Sequence, residues 1–393
     1  MNFSERLLKL KPSATLAVSA KAAELRAKGK DILALSLGEP DMPVPPHVLD
    51  AVISATREGY AKYTAVPGLP EVRDAVGVYY DRVYSVPVPR ESVIVSNGGK
   101  QSVFNICLCL LNPGDEVLIP CPYWLSYPDI IMLAGGVVVP VPTSPDKGFK
   151  VTVKDLERCL TPKTKMLLLN SPSNPTGACY TKRELNKLAR WAIERGLYVV
   201  SDELYDQLYY NDDGPVSLSQ LWKKYPEQIS VVNGLSKSFS MPGWRVGYTI
   251  AHPELIQQMT KLQGQTTSNV CSLAQAAAIA ALTGPYESVF AMRHIYKQRR
   301  DAAMKIISKW PAIPSYTPEG AFYIFLDVSR LFTPEVPDST TMCTHILDTA
   351  EVALVPGVAF GDDNSVRLSY SIEEDRLIEA LHKLAPILGQ YPA

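Results

Sequence analysis

A lysine set between two serines opens the chemistry of this chain. In "LSKSFSMPGWRVGY", Lys237 lies between Ser236 and Ser238, just after a strand-like run, and Arg245 follows. A lysine amine condenses with an aldehyde to form a Schiff base. Serine hydroxyls and a guanidinium are suitable donors to a phosphate. The stretch therefore suits a phosphorylated aldehyde, held covalently by Lys237 and electrostatically by Ser236 and Arg245. Most lysines are solvated surface residues, so Lys237 gains meaning only from its company.

That company is a set of polar segments, each following a short apolar run. "SNGGKQ" follows Ser92–Val95, "CPYW" follows Glu116–Pro120, and "NSPSNPTG" follows Lys165–Leu169. "DELY" follows Leu197–Ser201, and "NGLSKS" follows Ile229–Val232. Open α/β sheets bind ligands at the carboxyl ends of their strands, so five such segments point to one edge. "SNGGKQ" brings glycines to a strand-to-helix turn, where free N–H groups can face a phosphate. Pro172 and Pro175 flank Asn174 and would hold its amide near an oxyanion. Asp202 reads either as a helix N-cap or as a buried carboxylate paired with a cationic ring nitrogen. Trp124 reads either as core or as a flat face for an aromatic ligand.

The elements behind these segments set the fold class. Seven candidate strands, the five above plus Val137–Val141 and Gly247–Ala251, are nearly continuous in apolar residues, as strands buried on both faces are. Helical patterns at Lys100–Leu111, Lys182–Arg195 after the possible cap Thr181, and Leu273–Leu282 alternate with them. The expectation is an α/β large domain over 46–285, with a mostly parallel seven-stranded sheet flanked by helices. From about Glu287 a long polar helix runs to Pro311. Strand-like Ala321–Asp327 and Ser365–Ser371 and helices near Thr340–Glu351 and Ile372–Leu388 then suggest a smaller α+β domain over 286–393. Residues 1–45 are expected to pack with it.

Composition narrows the function classes. With 46% hydrophobic and 20% charged residues and a net charge of −1, the 393-residue chain has mass for a large core. Neither nucleic acid nor an anionic membrane is expected as its partner. No apolar run reaches transmembrane length, and the charged N-terminus lacks a secretory h-region. Seven cysteines without regular spacing suggest reduced thiols and a cytoplasmic location. The five scattered histidines make no metal-ligand spacing, so no metal is expected.

"SLSKSFSMPGWRVGY", "NSPSNPTG", "SDELY" and "RLSYS" together resemble the fold-type I aminotransferases of class I/II that use pyridoxal phosphate. The similarity runs over nearly the whole chain. "KPSAT", "SLGEPD", "KYTAVPGLPEVR", "SNGGKQ" and "PYWLSYPD" place it near the bacterial aspartate aminotransferase branch. The resemblance implies that pyridoxal 5′-phosphate forms a Schiff base with Lys237, which also serves as general base. It implies that Asp202 keeps the pyridine nitrogen protonated, that Asn174 and Tyr205 donate to the phenolic oxygen, and that Trp124 stacks on the ring. Gly99, Lys100, Ser236 and Arg245 match phosphate-loop positions. Tyr63 resembles a tyrosine that reaches the phosphate of a neighbouring subunit, which implies a homodimer with shared sites. Arg367 matches the clamp for the substrate α-carboxylate, and Gly38 lines that pocket.

The implied reaction is ping-pong transfer of an amino group from an L-amino acid, with aspartate favoured, to 2-oxoglutarate. Lys100 is a candidate cation for the distal carboxylate, with Lys11 as a second. Three other readings stay open: an aromatic or prephenate aminotransferase, a pyridoxal-phosphate carbon–sulfur lyase, and a non-enzymatic binding protein on the same fold.

Overall fold

The computed structural model describes residues 1–10, 14–212, 214–314 and 316–390. Lys11 lies outside the described residues. The strands in chain order are β1 (Leu33–Ala34), β2 (Val93–Ser96), β3 (Glu116–Cys121), β4 (Val137–Pro142), β5 (Thr164–Asn170) and β6 (Tyr198–Asp202). Then come β7 (Ile229–Gly234), β8 (Gly247–Ile250), β9 (Tyr323–Asp327), β10 (Val352–Ala353), β11 (Val355–Pro356) and β12 (Ser365–Ser369).

β2 to β8 form one seven-stranded sheet in the order β2-β8-β7-β6-β5-β3-β4. Only β8 runs against its neighbours β2 and β7; every other pairing is parallel. All seven expected strands are present, with ends displaced by a residue or two. The apolar runs are continuous because successive side chains feed two cores, one on each face. Leu167, Leu169, Val199 and Val231 enter one core, while Met166, Leu168, Val200 and Val232 enter the other.

β4 departs from the expectation of burial on both faces. It is an edge strand with Val137 48% exposed. Its Pro140 and Pro142 lack the N–H of a ladder donor, which a strand with only one neighbour tolerates.

Helices cover the sheet where the pattern placed them. Gly99–Leu110 follows β2, and Lys182–Glu194 separates β5 from β6. Thr181 caps the latter in a capping box: its side chain accepts from the Glu184 N–H, and the Glu184 carboxylate accepts from the Thr181 N–H. Ser272–Thr283 packs against the helices Pro46–Arg57 and Pro70–Tyr84.

The C-terminal part builds its own antiparallel sheet, β11-β12-β9. The helices Glu287–Ile307, Ser339–Ala350 and Glu374–Leu388 pack around it. The N-terminal segment packs with this part. β1 pairs in parallel with β10, and Ala22, Leu25 and Ile32 pack with Leu347 and Ala353. Just beyond Gly38 the chain is pinned by Asp41. Its carboxylate accepts two bonds of 2.9 Å from Arg299, which is nearly buried, and one of 3.0 Å from the Tyr296 hydroxyl.

Candidate active site

Lys237 stands in the turn that follows β7, and the turn is held by backbone bonds from Met241 N–H to Leu235 O and from Ser240 N–H to Lys237 O. Its ammonium donates to the Gly38 carbonyl and lies 5.8 Å from the centre of the Tyr205 ring and 5.7 Å from that of Phe322. The amine is pushed down to about 8, first by burial and then by the positive charge of Arg367. A lysine in this setting loses its proton more readily than an exposed one, as nucleophilic and general-base roles both need.

Asp202 ends β6 and is nearly buried. No helix starts there, so the N-cap alternative is not realised; Asp202 Oδ1 instead accepts from the Leu204 N–H at 3.2 Å within a turn. Oδ2 accepts from the Tyr127 hydroxyl at 2.6 Å. Burial pushes the carboxyl up to about 6, and these two donors oppose that. Among the described residues no cationic side chain pairs with Asp202. A buried acid of this kind fits a cationic ring nitrogen, whose charge would favour the carboxylate.

Arg367, in β12, is 2% exposed, the most enclosed cation of the site. Nη1 donates to Asn174 Oδ1 at 3.0 Å and Nη2 to the Ser36 carbonyl at 3.1 Å. Its guanidinium lies 4.4 Å from the Tyr323 ring centre and 4.8 Å from that of Phe360. Nε has no partner although it is buried. An orphaned donor on a buried guanidinium is costly alone and matches a planar carboxylate ligand. A Cβ on Gly38 would lie 3.2 Å from the Tyr323 hydroxyl and 4.0 Å from Arg367, so Gly38 keeps this space open.

Asn174 bridges the two groups. Its backbone N–H donates to Asn170 Oδ1, and its side-chain amide donates to the Tyr205 hydroxyl at 3.4 Å while accepting from Arg367. Tyr205 in turn shares a 2.9 Å bond with the Tyr323 hydroxyl. Lys237, Gly38, Arg367, Asn174 and Tyr205 thus form one connected group.

The outer end is built from the β2–helix turn. Gly98 has φ +85°, and a Cβ there would lie 2.5 Å from the Arg245 guanidinium. The glycine lets the arginine lie against the backbone of the helix that opens at Gly99. Arg245 is exposed and donates to the Pro242 carbonyl at 2.8 Å. Lys100 Nζ lies 5.1 Å from the centre of the Trp124 ring, and Trp124 meets Tyr127 edge-on at 5.3 Å. Ser236 is buried at the foot of the Lys237 turn. The first turn of the helix Gly99–Leu110, a serine, a lysine and an arginine make a donor set suited to a phosphate. Tyr63 is not part of this group; it stands 92% exposed on the surface.

Two contributors were not singled out from sequence. Tyr127 sits three residues after Trp124 in "PYWLSYPD", where that spacing was its only signal. Tyr323 lies in the apolar run "AFYIFLD", where nothing marks its hydroxyl as reaching Tyr205.

Comparison with known proteins agrees with the geometry. Residues 30–384 match the family model for aminotransferase class I and II. The asparagine–oxo-acid transaminase of Streptococcus mutans is 41% identical over 97% of this chain and 98% of its own. The aspartate/prephenate aminotransferase of Thermus thermophilus is 41% identical over 98% and 99%. The solved Thermus thermophilus aspartate aminotransferase with maleate superposes with TM-score 0.93 at 41% identity, covering 99% of this chain and all of that one. The Rhizobium meliloti aspartate aminotransferase gives 0.94 at 35% identity, covering 99% of each chain. With a buried lysine and a buried acid at the strand ends of one sheet, and this likeness over its full length, the chain belongs to the class I and II aminotransferases, and its cofactor is pyridoxal 5′-phosphate.

Proposed function

We propose that this aminotransferase takes the amino group of aspartate and gives it to 2-oxoglutarate. The observation that carries the reading is the pair of cations at different depths. Arg367 is buried with an unpaired Nε, and Lys100 is exposed over Trp124. The first suits an α-carboxylate, and the second suits the distal carboxylate of a dicarboxylic substrate.

Bound pyridoxal phosphate supplies an electron sink for the pair left when the α-proton departs. The protein residues do the rest. Lys237 would hold the cofactor, and its Nζ, once displaced by the incoming amino acid, would take the proton from the substrate Cα and deliver it to the carbon that carried the aldehyde. Asp202, oriented by Tyr127 and the Leu204 N–H, would supply the negative charge for the ring nitrogen. Asn174 and Tyr205 would donate to the ring oxygen, and Trp124 would offer a flat face to the ring. Gly99, Ser236 and Arg245 would receive the phosphate. The first 2-oxo acid leaves before the second enters, so the kinetics are ping-pong.

Relatives named for aspartate/prephenate favour a second reading, in which an aromatic 2-oxo acid or prephenate is also accepted. Single-turnover bleaching of the yellow holoenzyme, ranked over a panel of amino acids, separates them. Aspartate and glutamate fastest supports the dicarboxylate reading; phenylalanine or tyrosine fastest overturns it. Pyruvate and ammonia formed from a cysteine conjugate without any amino acceptor would point to a lyase.

The same reading includes a cytoplasmic homodimer whose subunits share sites through Tyr63. Its support is the 92% exposure of Tyr63 and the exposed Leu49 and Ile53, which fall on one face of the helix Pro46–Arg57. It also divides the chain into an N-terminal segment 1–45, a cofactor domain 46–285 and a small domain 286–393. Light scattering that gives a monomer would remove the shared site.

A further inference from the structure

The Lys237 turn is held from behind by a buried acid that the chemistry above does not use. Asp206 lies four residues after Asp202 and one after Tyr205, and is 2% exposed. Its Oδ1 accepts from the Ser238 hydroxyl at 2.8 Å. Its Oδ2 accepts from the Tyr84 hydroxyl at 2.9 Å and also from the Tyr79 hydroxyl. Gln207 supports Tyr79 with a 2.9 Å bond from its amide. Among the described residues no lysine or arginine pairs with Asp206. Three hydroxyl donors on one carboxylate, with no cation, is an uncommon way to keep an acid in a core.

The placement gives the arrangement a purpose. The segment 202–206 sends Asp202 and Tyr205 into the cleft and Asp206 away from it. The turn 235–241 sends Lys237 toward Gly38 and its neighbour Ser238 toward Asp206. Among the described residues, the two segments that carry the reacting amine and the ring-facing acid are joined by one side-chain hydrogen bond, Ser238 to Asp206. The helix Pro70–Tyr84 clamps the far side through Tyr79 and Tyr84. Glu203 is the other buried acid here, and burial pushes its carboxyl up to about 8.

We propose that Asp206 is a positioning residue, setting the place of Lys237 relative to Asp202 through Ser238. The inference rests on Lys237 being the reacting amine. A carboxamide at 206 offers one oxygen to three hydroxyls and turns its own N–H donors toward them. Misplacement of a reacting group by about 1 Å costs on the order of 100-fold in rate. Asp206→Asn is therefore expected to lower kcat by about 100-fold with KM little changed. Ser238→Ala is expected to lower kcat by about 10-fold, and the double variant to be no worse than Asp206→Asn alone. Asp206→Glu, which keeps the acceptors, is expected to recover part of the rate.

A second readout needs no cofactor. In the cofactor-free protein, the pH midpoint of Lys237 labelling by an amine reagent answers to burial and to the facing charges of Arg367, Glu39 and Arg245. It is expected to move in Asp206→Asn and Ser238→Ala. Tyr84→Phe removes one donor on the side away from Lys237, so it is expected to lower the melting temperature while leaving kcat and the midpoint in place. Equal losses of kcat in Asp206→Asn and Tyr84→Phe would overturn the inference in favour of a purely structural acid. Should Asp206→Asn not fold, Ser238→Ala with the parent's kcat and midpoint would overturn it as well. Lys237→Ala retaining turnover would instead remove the underlying reading of the site.

Discussion

The inner and outer ends of the cleft are built on different principles. At the inner end, Arg367, Asp202 and Asn174 are buried, and each is fixed by protein neighbours before any ligand arrives. At the outer end, Arg245 and Lys100 are exposed, and Tyr63 stands away from the group altogether. Buried polar groups strengthen electrostatic interactions and lose little freedom on binding. Exposed cations interact through water and are screened by salt. The inner end should therefore govern rate and the grip on every substrate, while the outer end tunes affinity and selectivity.

Substitutions test this ordering. Lys237→Ala removes both the attachment point and the base, and turnover should fall by about 10,000-fold or more. Loss of the pH-dependent visible absorbance should accompany it. Asp202→Asn leaves a buried cationic ring without its partner, for which a loss on the order of 1,000-fold in kcat/KM is expected. Arg367→Ala should raise KM by about 100-fold for every amino acid, measured across acidic, aromatic and aliphatic donors. If only one donor suffered, Arg367 would be a side-chain selector. Lys100→Ala belongs to the outer end and should cost aspartate about 10-fold while sparing alanine and phenylalanine. Equal damage to all three would assign Lys100 to the phosphate.

The smallest effect is on stability. Lys237 is held near 8 in the folded, cofactor-free protein, below the about 10.4 of an unfolded lysine. Between those values the unfolded chain binds more protons, so this group's contribution to stability rises with pH. Below 8 both states are protonated and the cost of burying the charge is fully present. Lys237→Met should thus melt above the parent below pH 8, and the gap should close as the pH approaches 10.

Much of this was legible in the sequence. The strands could be read because most feed two cores and so carry a nearly unbroken apolar run, as in "MLLL" of β5 and "VLI" of β3. The site segments could be read because their polar residues interrupt such runs at one edge of the sheet. Tyr127 and Tyr323 were harder, since a tyrosine in an apolar run looks like core until its hydroxyl finds Asp202 or Tyr205. The exposure of β4 depended on strand order, which short-range periodicity does not carry. Asp206 was hidden for a similar reason. Its three donors come from residues 79, 84 and 238, far away in the chain.

The central claim is that the ε-amine of Lys237 is the covalent anchor. The direct measurement is borohydride reduction of the holoenzyme followed by peptide mass spectrometry. A reduced pyridoxyl-phosphate adduct on Lys237 alone is the expected result. An adduct on Lys100 or any other lysine, with Lys237 unmodified, would contradict it.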